Sequence, residues 1–244
     1  MLRILGLIFA LLAAPALTAG APSAEQLFRQ HARELYDACG LRGTMAYDVF
    51  AHALTGYYNL RAEGKVRPDA PLTVVDFRRP SSEKRLYVVD VANRKLLYHT
   101  WTSHGRGSGN LRASTFSDVP NSHQSSLGFY VGAETYHGKH GYSLRLDGQD
   151  RGFNHHARAR AIVMHGADYV SEAFVKRAGR LGRSYGCPAL AWDVYRPVID
   201  LVKEGGCLFL FSDDATYLQK SRYLRPAGAA AYVASLPGAV AVAQ

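Results

Sequence analysis

Apolar positions along the chain change period once. Between Ser23 and Ala38, and again between Met45 and Ala62, they recur at helical spacing, among them Leu27, Leu35, Val49, Phe50, Ala53, Leu54 and Tyr57. Steps of three and four residues gather on one side of a helix, so both segments are expected to be packing helices. Pro68 and Pro71 then mark a boundary. Beyond it the apolar residues come in short runs: LTVVDF from Leu72, RLYVVDV from Arg85, KLLYHTWTS from Lys95, SLGFYVG from Ser126, YSLRL from Tyr142, AIVMHG from Ala161 and CLFLF from Cys207. Runs of this length between glycines, prolines and polar clusters read as strands, with Ala92, Asn93 and Arg94 as a tight turn between the second and third. Helices are expected around Tyr169–Arg177 and Trp192–Lys203, Gly- and Ser-rich loops from Ser103 to Ser126, and no repeat is visible. The expected fold is mainly β with peripheral helices: a β-sandwich or barrel-like domain preceded by N-terminal helices.

Residues 1–21 differ from all of this. A basic start ends at Arg3, an apolar core runs from Ile4 to Ala14, and small residues surround Ala19 to Ala21, the pattern of a secretory signal peptide. No later segment has the length of a membrane span. The reading is therefore an exported protein of the periplasm or cell envelope, with an N-terminal helical segment at 22–70, a main domain at 71–222 and a flexible Ala- and Gly-rich tail at 223–244. The formal charge is +9, and loss of the leader removes only Arg3. A basic surface suits carboxylate-rich partners. Nucleic acid is not expected, since no recognition-helix or zinc-finger pattern accompanies the charge. Three cysteines leave an odd thiol in an exported chain, with Cys39 and Cys207 either paired or separately buried. Ten histidines raise metal binding, but neither HExxH nor paired cysteines occur, and no metal or cofactor is expected.

The chemistry concentrates between Arg160 and Leu190. A strand ends in His165 and Gly166, and 22 positions after His165 comes Cys187, within GRSYGCPAL. A cysteine becomes a strong nucleophile when a neighbour takes its proton, and His165 is the candidate neighbour. Glycines at 182 and 186 permit backbone conformations in which successive N–H groups converge on a developing oxyanion. A lowered thiol pKa is expected for such a site. A buried structural thiol and a strand-end histidine would use the same residue types, and composition alone leaves both readings open.

The wider pattern resembles the L,D-transpeptidase catalytic domain, the YkuD-like family of cell-wall enzymes. That family carries a histidine–glycine pair, then serine or threonine, a variable residue, glycine and the nucleophilic cysteine, matched here by His165, Gly166, Ser184, Tyr185, Gly186 and Cys187. The resemblance extends from about Leu72 to Ser212, through LTVVDFRRPSSEKRLYVVDV, SHGRGSG, SSLGFYVG and HGKHGYSLRLDG. The commoner members have histidine where this chain has Tyr185, and arginine–asparagine where it has Pro188 and Ala189. The resemblance implies that Cys187 attacks a peptidoglycan tetrapeptide stem, releases D-alanine and passes the acyl group from a thioester to an amine. It implies His165 as base, the Gly166 carbonyl as its orienting partner, the Tyr185, Gly186 and Cys187 N–H groups as the oxyanion site, and Ser184 as a brace. Substrate contacts are expected from Arg183, Ser126, Gly128, His104, Arg106 and Tyr142. Family members need no cofactor, and acylation by carbapenems is implied. Peptidoglycan stem peptides are the expected partners, with a wall-attached protein as a second candidate. Two other outcomes use the same residues: an L,D-carboxypeptidase or hydrolase acting through Cys187 and His165, and a non-catalytic peptidoglycan-binding protein.

Overall fold

The computed structural model describes residues 21–237; the expected leader and the last residues of the tail lie outside them. Two helices come first, α1 (Ala24–Ala38) and α2 (Tyr47–Ala62). Ser23 caps α1, its hydroxyl accepting from the Gln26 N–H while the Gln26 side chain returns to the Ser23 N–H, so orphan amides at the helix start are satisfied reciprocally. Phe28, Ala32, Leu35 and Tyr36 form its buried stripe.

The strands follow: β1 (Leu72–Asp76), β2 (Leu86–Asp90), β3 (Lys95–Thr100), β4 (Gly128–Gly138), β5 (Gly141–Gly148) and β6 (Val163–Gly166). After helix α3 (Glu172–Ala178) come β7 (Ala189–Leu190), α4 (Tyr195–Val202), β8 (Cys207–Phe211), α5 (Ala215–Lys220) and α6 (Pro226–Ala234). All eight strands join one mixed sheet in the order β3-β2-β1-β8-β4-β5-β6-β7. Thr102, just past the edge strand β3, bridges to Leu190 in the opposite edge strand β7. The sheet therefore curls until its two edges meet, and the mainly-β, barrel-like expectation holds. The continuous apolar runs of β1 and β8 pair in parallel and are buried throughout, as strands covered on both faces must be.

Two differences from the sequence reading have physical causes. The tail is ordered over α6, where Ala229, Ala230 and Val233 are buried and the helix packs on α1 and α2. Alanine is the best helix former and lets helices approach closely, so a composition that reads as mobile is here a helix begun by Pro226. Asn59 of α2 fastens its start, donating to the carbonyls of Tyr223 and Arg225 at 2.9 and 3.0 Å. The second difference is β7, two residues long, which no periodicity could reveal. Of the two outcomes open for Cys39 and Cys207, the structure has separate burial, with Cys39, Cys187 and Cys207 all free thiols. No helix among the described residues is long and apolar enough to cross a membrane.

Candidate active site

Strand β6 carries His165 at its end, in register with Ser143 of β5 on one side and Ala189 of β7 on the other. Parallel pairing with β7 brings the chain just before Ala189, and therefore Cys187, alongside β6. The Cys187 Sγ accepts from the Val163 N–H at 3.4 Å and lies 3.7 Å from the Ala161 carbonyl. His165 is buried. Its Nδ1 lies 2.9 Å from the Gly166 carbonyl oxygen, which can only accept, so Nδ1 bears the proton and Nε2 presents a lone pair. A Cβ on Gly166 would sit 2.4 Å from the Trp192 ring; the absence of a side chain lets the indole cover this strand end.

The thiol loop is braced from several directions. The Ser184 hydroxyl donates to the Cys187 carbonyl at 2.7 Å and accepts from the Gly186 N–H at 3.1 Å. Ser184 itself is stitched to the neighbouring chain by bonds from its N–H to the His104 carbonyl and from the Arg106 N–H to its own carbonyl. Gly186 adopts φ +122, and a Cβ there would approach the Gln124 carbonyl oxygen to 2.7 Å, so both conformation and space require glycine. Because Ser184 occupies the Gly186 N–H, that group is not a free oxyanion donor. Among the described residues, the Tyr185 and Cys187 N–H groups have no protein acceptor and remain available.

Electrostatics set the resting protonation state. Burial pushes the His165 imidazole down to about 4 against the upward pull of the Gly166 bond, with His140 and Lys139 lowering it further. Enclosure raises the Cys187 thiol above its ordinary value, only partly opposed by the Val163 N–H and the positive charges of Arg160 and Lys139. The resting pair is thus neutral thiol and neutral imidazole. This corrects the lowered thiol pKa expected from the sequence: no hydrogen bond joins Sγ to His165, and desolvation disfavours a stored thiolate. The arrangement suits general-base activation, in which the proton moves only as the nucleophile attacks.

The remaining sequence candidates divide. Tyr185 is exposed, with its ring 4.4 Å from His123 and the Arg106 guanidinium 4.7 Å above it, so Tyr185 and Arg106 form a stack at the edge of the loop. Arg183 is half-buried and gives Nη1 to the Gly109 carbonyl at 3.0 Å. Tyr142 donates to Asp200 of α4 at 2.7 Å. His104 is not a substrate contact: it is fully buried, its Nδ1 accepting from Arg85 at 2.8 Å, its Nε2 facing the Gly109 carbonyl. Ser126 is likewise buried, bonded to the Tyr130 hydroxyl and to Arg160. Gly128, at φ +117 on β4, packs against Asp150 and Asn154, and is structural rather than a pocket floor.

Sequence reasoning passed over three residues that matter more. Ser125 links the two walls of the loop, accepting from the Gly105 N–H at 3.0 Å and donating to the Gly186 carbonyl at 3.2 Å; only its place beside Ser126 hinted at it. Arg160 is enclosed and gathers the Ser117 and Gln124 carbonyls, both at 2.7 Å, with the hydroxyls of Ser122 and Ser126. It thereby ties the loop behind Gly186 to the start of β6 and places a cation near the thiol. His140 stacks on His165. The surface histidines His155 and His156 both meet the Asp118 carboxylate, at 2.9 and 3.0 Å, and contribute nothing to the His165–Cys187 pair.

Comparison with known proteins follows the same outline. No curated protein matches. Solved structures similar to this chain include an L,D-transpeptidase from Mycobacterium smegmatis (14% identity, 59% of each chain, TM-score 0.37) and L,D-transpeptidase 1 from Mycobacterium tuberculosis (14% identity, 59% of this chain and 62% of that one, TM-score 0.34). An L,D-transpeptidase from Stackebrandtia nassauensis aligns at 14% identity over 82% of this chain and 98% of its own, with TM-score 0.33. The chain thus spans about three-fifths of the two mycobacterial structures. The sequence profile described as L,D-transpeptidase catalytic domain matches residues 42–211, taking in α2 as well as the strands, the His165 strand and the Cys187 loop. By that match over most of its length, the chain belongs to the L,D-transpeptidase catalytic domain family.

Proposed function

We propose that this protein is an exported cysteine L,D-transpeptidase acting on peptidoglycan tetrapeptide stems through a Cys187 thioester. The observation that carries the reading is the fixed tautomer of His165. With Nδ1 held by the Gly166 carbonyl at 2.9 Å, the basic nitrogen is Nε2, on a strand paired with the one that Cys187 leads into.

In the proposed reaction Nε2 takes the Sγ proton as sulfur attacks the carbonyl carbon of the L-centre of diaminopimelate. The new C–S bond forms while the carbonyl π electrons move onto oxygen, which the Tyr185 and Cys187 N–H groups receive. Collapse of this intermediate breaks the C–N bond to the terminal D-alanine, whose nitrogen takes the proton from His165. An amine of a second stem then gives a proton to Nε2 as it attacks the thioester, and Cys187 departs as thiolate and is reprotonated. Ser184 and Ser125 hold the loop throughout, and the Arg106 guanidinium stacked on Tyr185 is the group proposed to meet a stem carboxylate.

The test is mass spectrometry of the products after incubating the mature protein with purified disaccharide-tetrapeptide containing diaminopimelate, beside a Cys187→Ala control. Crosslinked dimers short of one D-alanine, absent in the control, are expected. Tripeptide monomers alone would reassign the acceptor to water, and unchanged substrate would favour the non-catalytic reading.

A further inference from the structure

One contact with His165 has no place in the reaction as written. The hairpin between β4 and β5 turns through Lys139 and His140, with Gly141 at φ +69. From this turn the half-buried His140 lays its ring against that of His165, centroids 4.2 Å apart and planes 21° from parallel. His165 is otherwise held at one edge by a single hydrogen bond, to the Gly166 carbonyl. One bond fixes one edge of the ring; the flat stack adds a constraint on its plane.

We propose that His140 is a positioning residue of the reaction: its ring, stacked on that of His165, holds the plane of the base as His165 takes the Cys187 proton. The inference rests on the reading of Cys187 and His165 as nucleophile and base.

The physical basis is geometric. Two flat rings with centroids 4.2 Å apart and planes 21° from parallel are in stacking contact, which restrains the His165 plane while leaving its Nε2 lone pair free to take the proton. A protonated His140 would oppose the imidazolium, because two cations this close repel, and the stacked pair resists a second proton. The surroundings keep His140 neutral: its pKa is lowered by burial and then by Lys139. Of the charged groups nearby, Lys139 on the same hairpin acts on both rings and on Cys187, and Arg160 acts on Cys187 from behind the loop. The Asp168 carboxylate accepts from the Trp192 indole at 2.6 Å. The hairpin tip is exposed on both sides of His140, so substitutions there have little core to disturb.

The experiment measures D-alanine release from the tetrapeptide across pH for the wild type, His140→Ala, His140→Phe, His140→Lys and Cys187→Ala. His140→Phe keeps an aromatic face that cannot titrate: kcat within about threefold of wild type is expected at pH 8, with one proton rather than two governing the acid limb. His140→Ala is expected to lose tenfold or more in kcat with KM little changed, and His140→Lys, a permanent cation, to lose more. Wild-type kcat and an unchanged acid limb in both the Ala and Phe variants would overturn the proposal while leaving the nucleophile assignment intact. D-alanine release by Cys187→Ala would overturn both.

Discussion

Gly186→Ala separates loop geometry from fold stability. At φ +122 an alanine carries backbone strain, and its Cβ would lie 2.7 Å from the Gln124 carbonyl oxygen and 2.9 Å from Ile162 Cδ1. Neither neighbour yields easily. The Gln124 carbonyl is held by Arg160 at 2.7 Å, and Ile162 is buried. Strain of this kind costs roughly 1–3 kcal/mol. For a chain of this size, each kcal/mol lowers Tm by about 2–4 °C, so a fall of about 2–12 °C is expected. The loop can relieve the contact only by moving away from Gln124, which breaks the Ser125 and Ser184 bonds that orient the Tyr185 and Cys187 N–H groups. A displacement near 1 Å at a reacting centre costs on the order of 10²-fold in rate. The assay pairs the rate of Cys187 acylation, followed by intact mass, with Tm by differential scanning fluorimetry. An acylation rate within threefold of wild type, whatever the Tm, would refute the argument that this loop conformation sets up the oxyanion site.

Other expectations follow from the same geometry. Arg160→Gln removes the cation near the thiol, so the Cys187 pKa, read from alkylation rate against pH, should rise further, while Arg160→Lys should rise less and still lose the forked grip on Ser117 and Gln124. A carbapenem should add once to the protein by mass and not at all to Cys187→Ala. Acid should destabilise the fold through His104 and His165, each lowered to about 4 from an ordinary value of 6.5. A histidine with a depressed folded pKa takes up its proton more readily when unfolded, so its contribution is intact above pH 6.5 and lost as pH falls from 6.5 towards 4. Between pH 7 and 4.5 that amounts to about 2 kcal/mol for each group. Urea unfolding at the two pH values should therefore show the wild type losing about 2 kcal/mol more than His165→Gln, and an equal loss in both would refute it.

Much of this was legible before the fold because it depended on local period. The apolar runs named the seven longer strands, and AIVMHG placed a histidine at a strand end. The Gly-bracketed GRSYGCPAL placed the thiol in a loop that glycine alone could shape. What stayed hidden depended on contacts between distant segments. Ser125 was indistinguishable from Ser126 in sequence, since which of two adjacent serines faces the loop depends on how residues 105–126 wrap around it. His104 sat in a Gly-rich stretch that reads as exposed, and only the buried guanidinium of Arg85, donating to its Nδ1, shows why an imidazole is enclosed there. The tail was misread for a related reason: alanines give no moment to read, yet their small side chains are what allow α6 to lie on α1 and α2.

On the proposed reading the site keeps its nucleophile dormant. A depressed thiol pKa would hold a thiolate ready for any electrophile and open to oxidation. Here burial raises the thiol and lowers the imidazole, so both resting groups are neutral, and in the proposed reaction the ion pair forms only as the thiol attacks. In the proposed reaction the Tyr185 and Cys187 N–H groups receive the negative charge that forms on substrate oxygen, and the His140 ring steadies the plane of His165. The departures from the commoner family pattern have their own contacts: the Tyr185 ring stacks with Arg106, and Ala189 keeps β7 in register with His165. The base of the proposed reaction is oriented by the Gly166 carbonyl on one edge and by the His140 ring on one face.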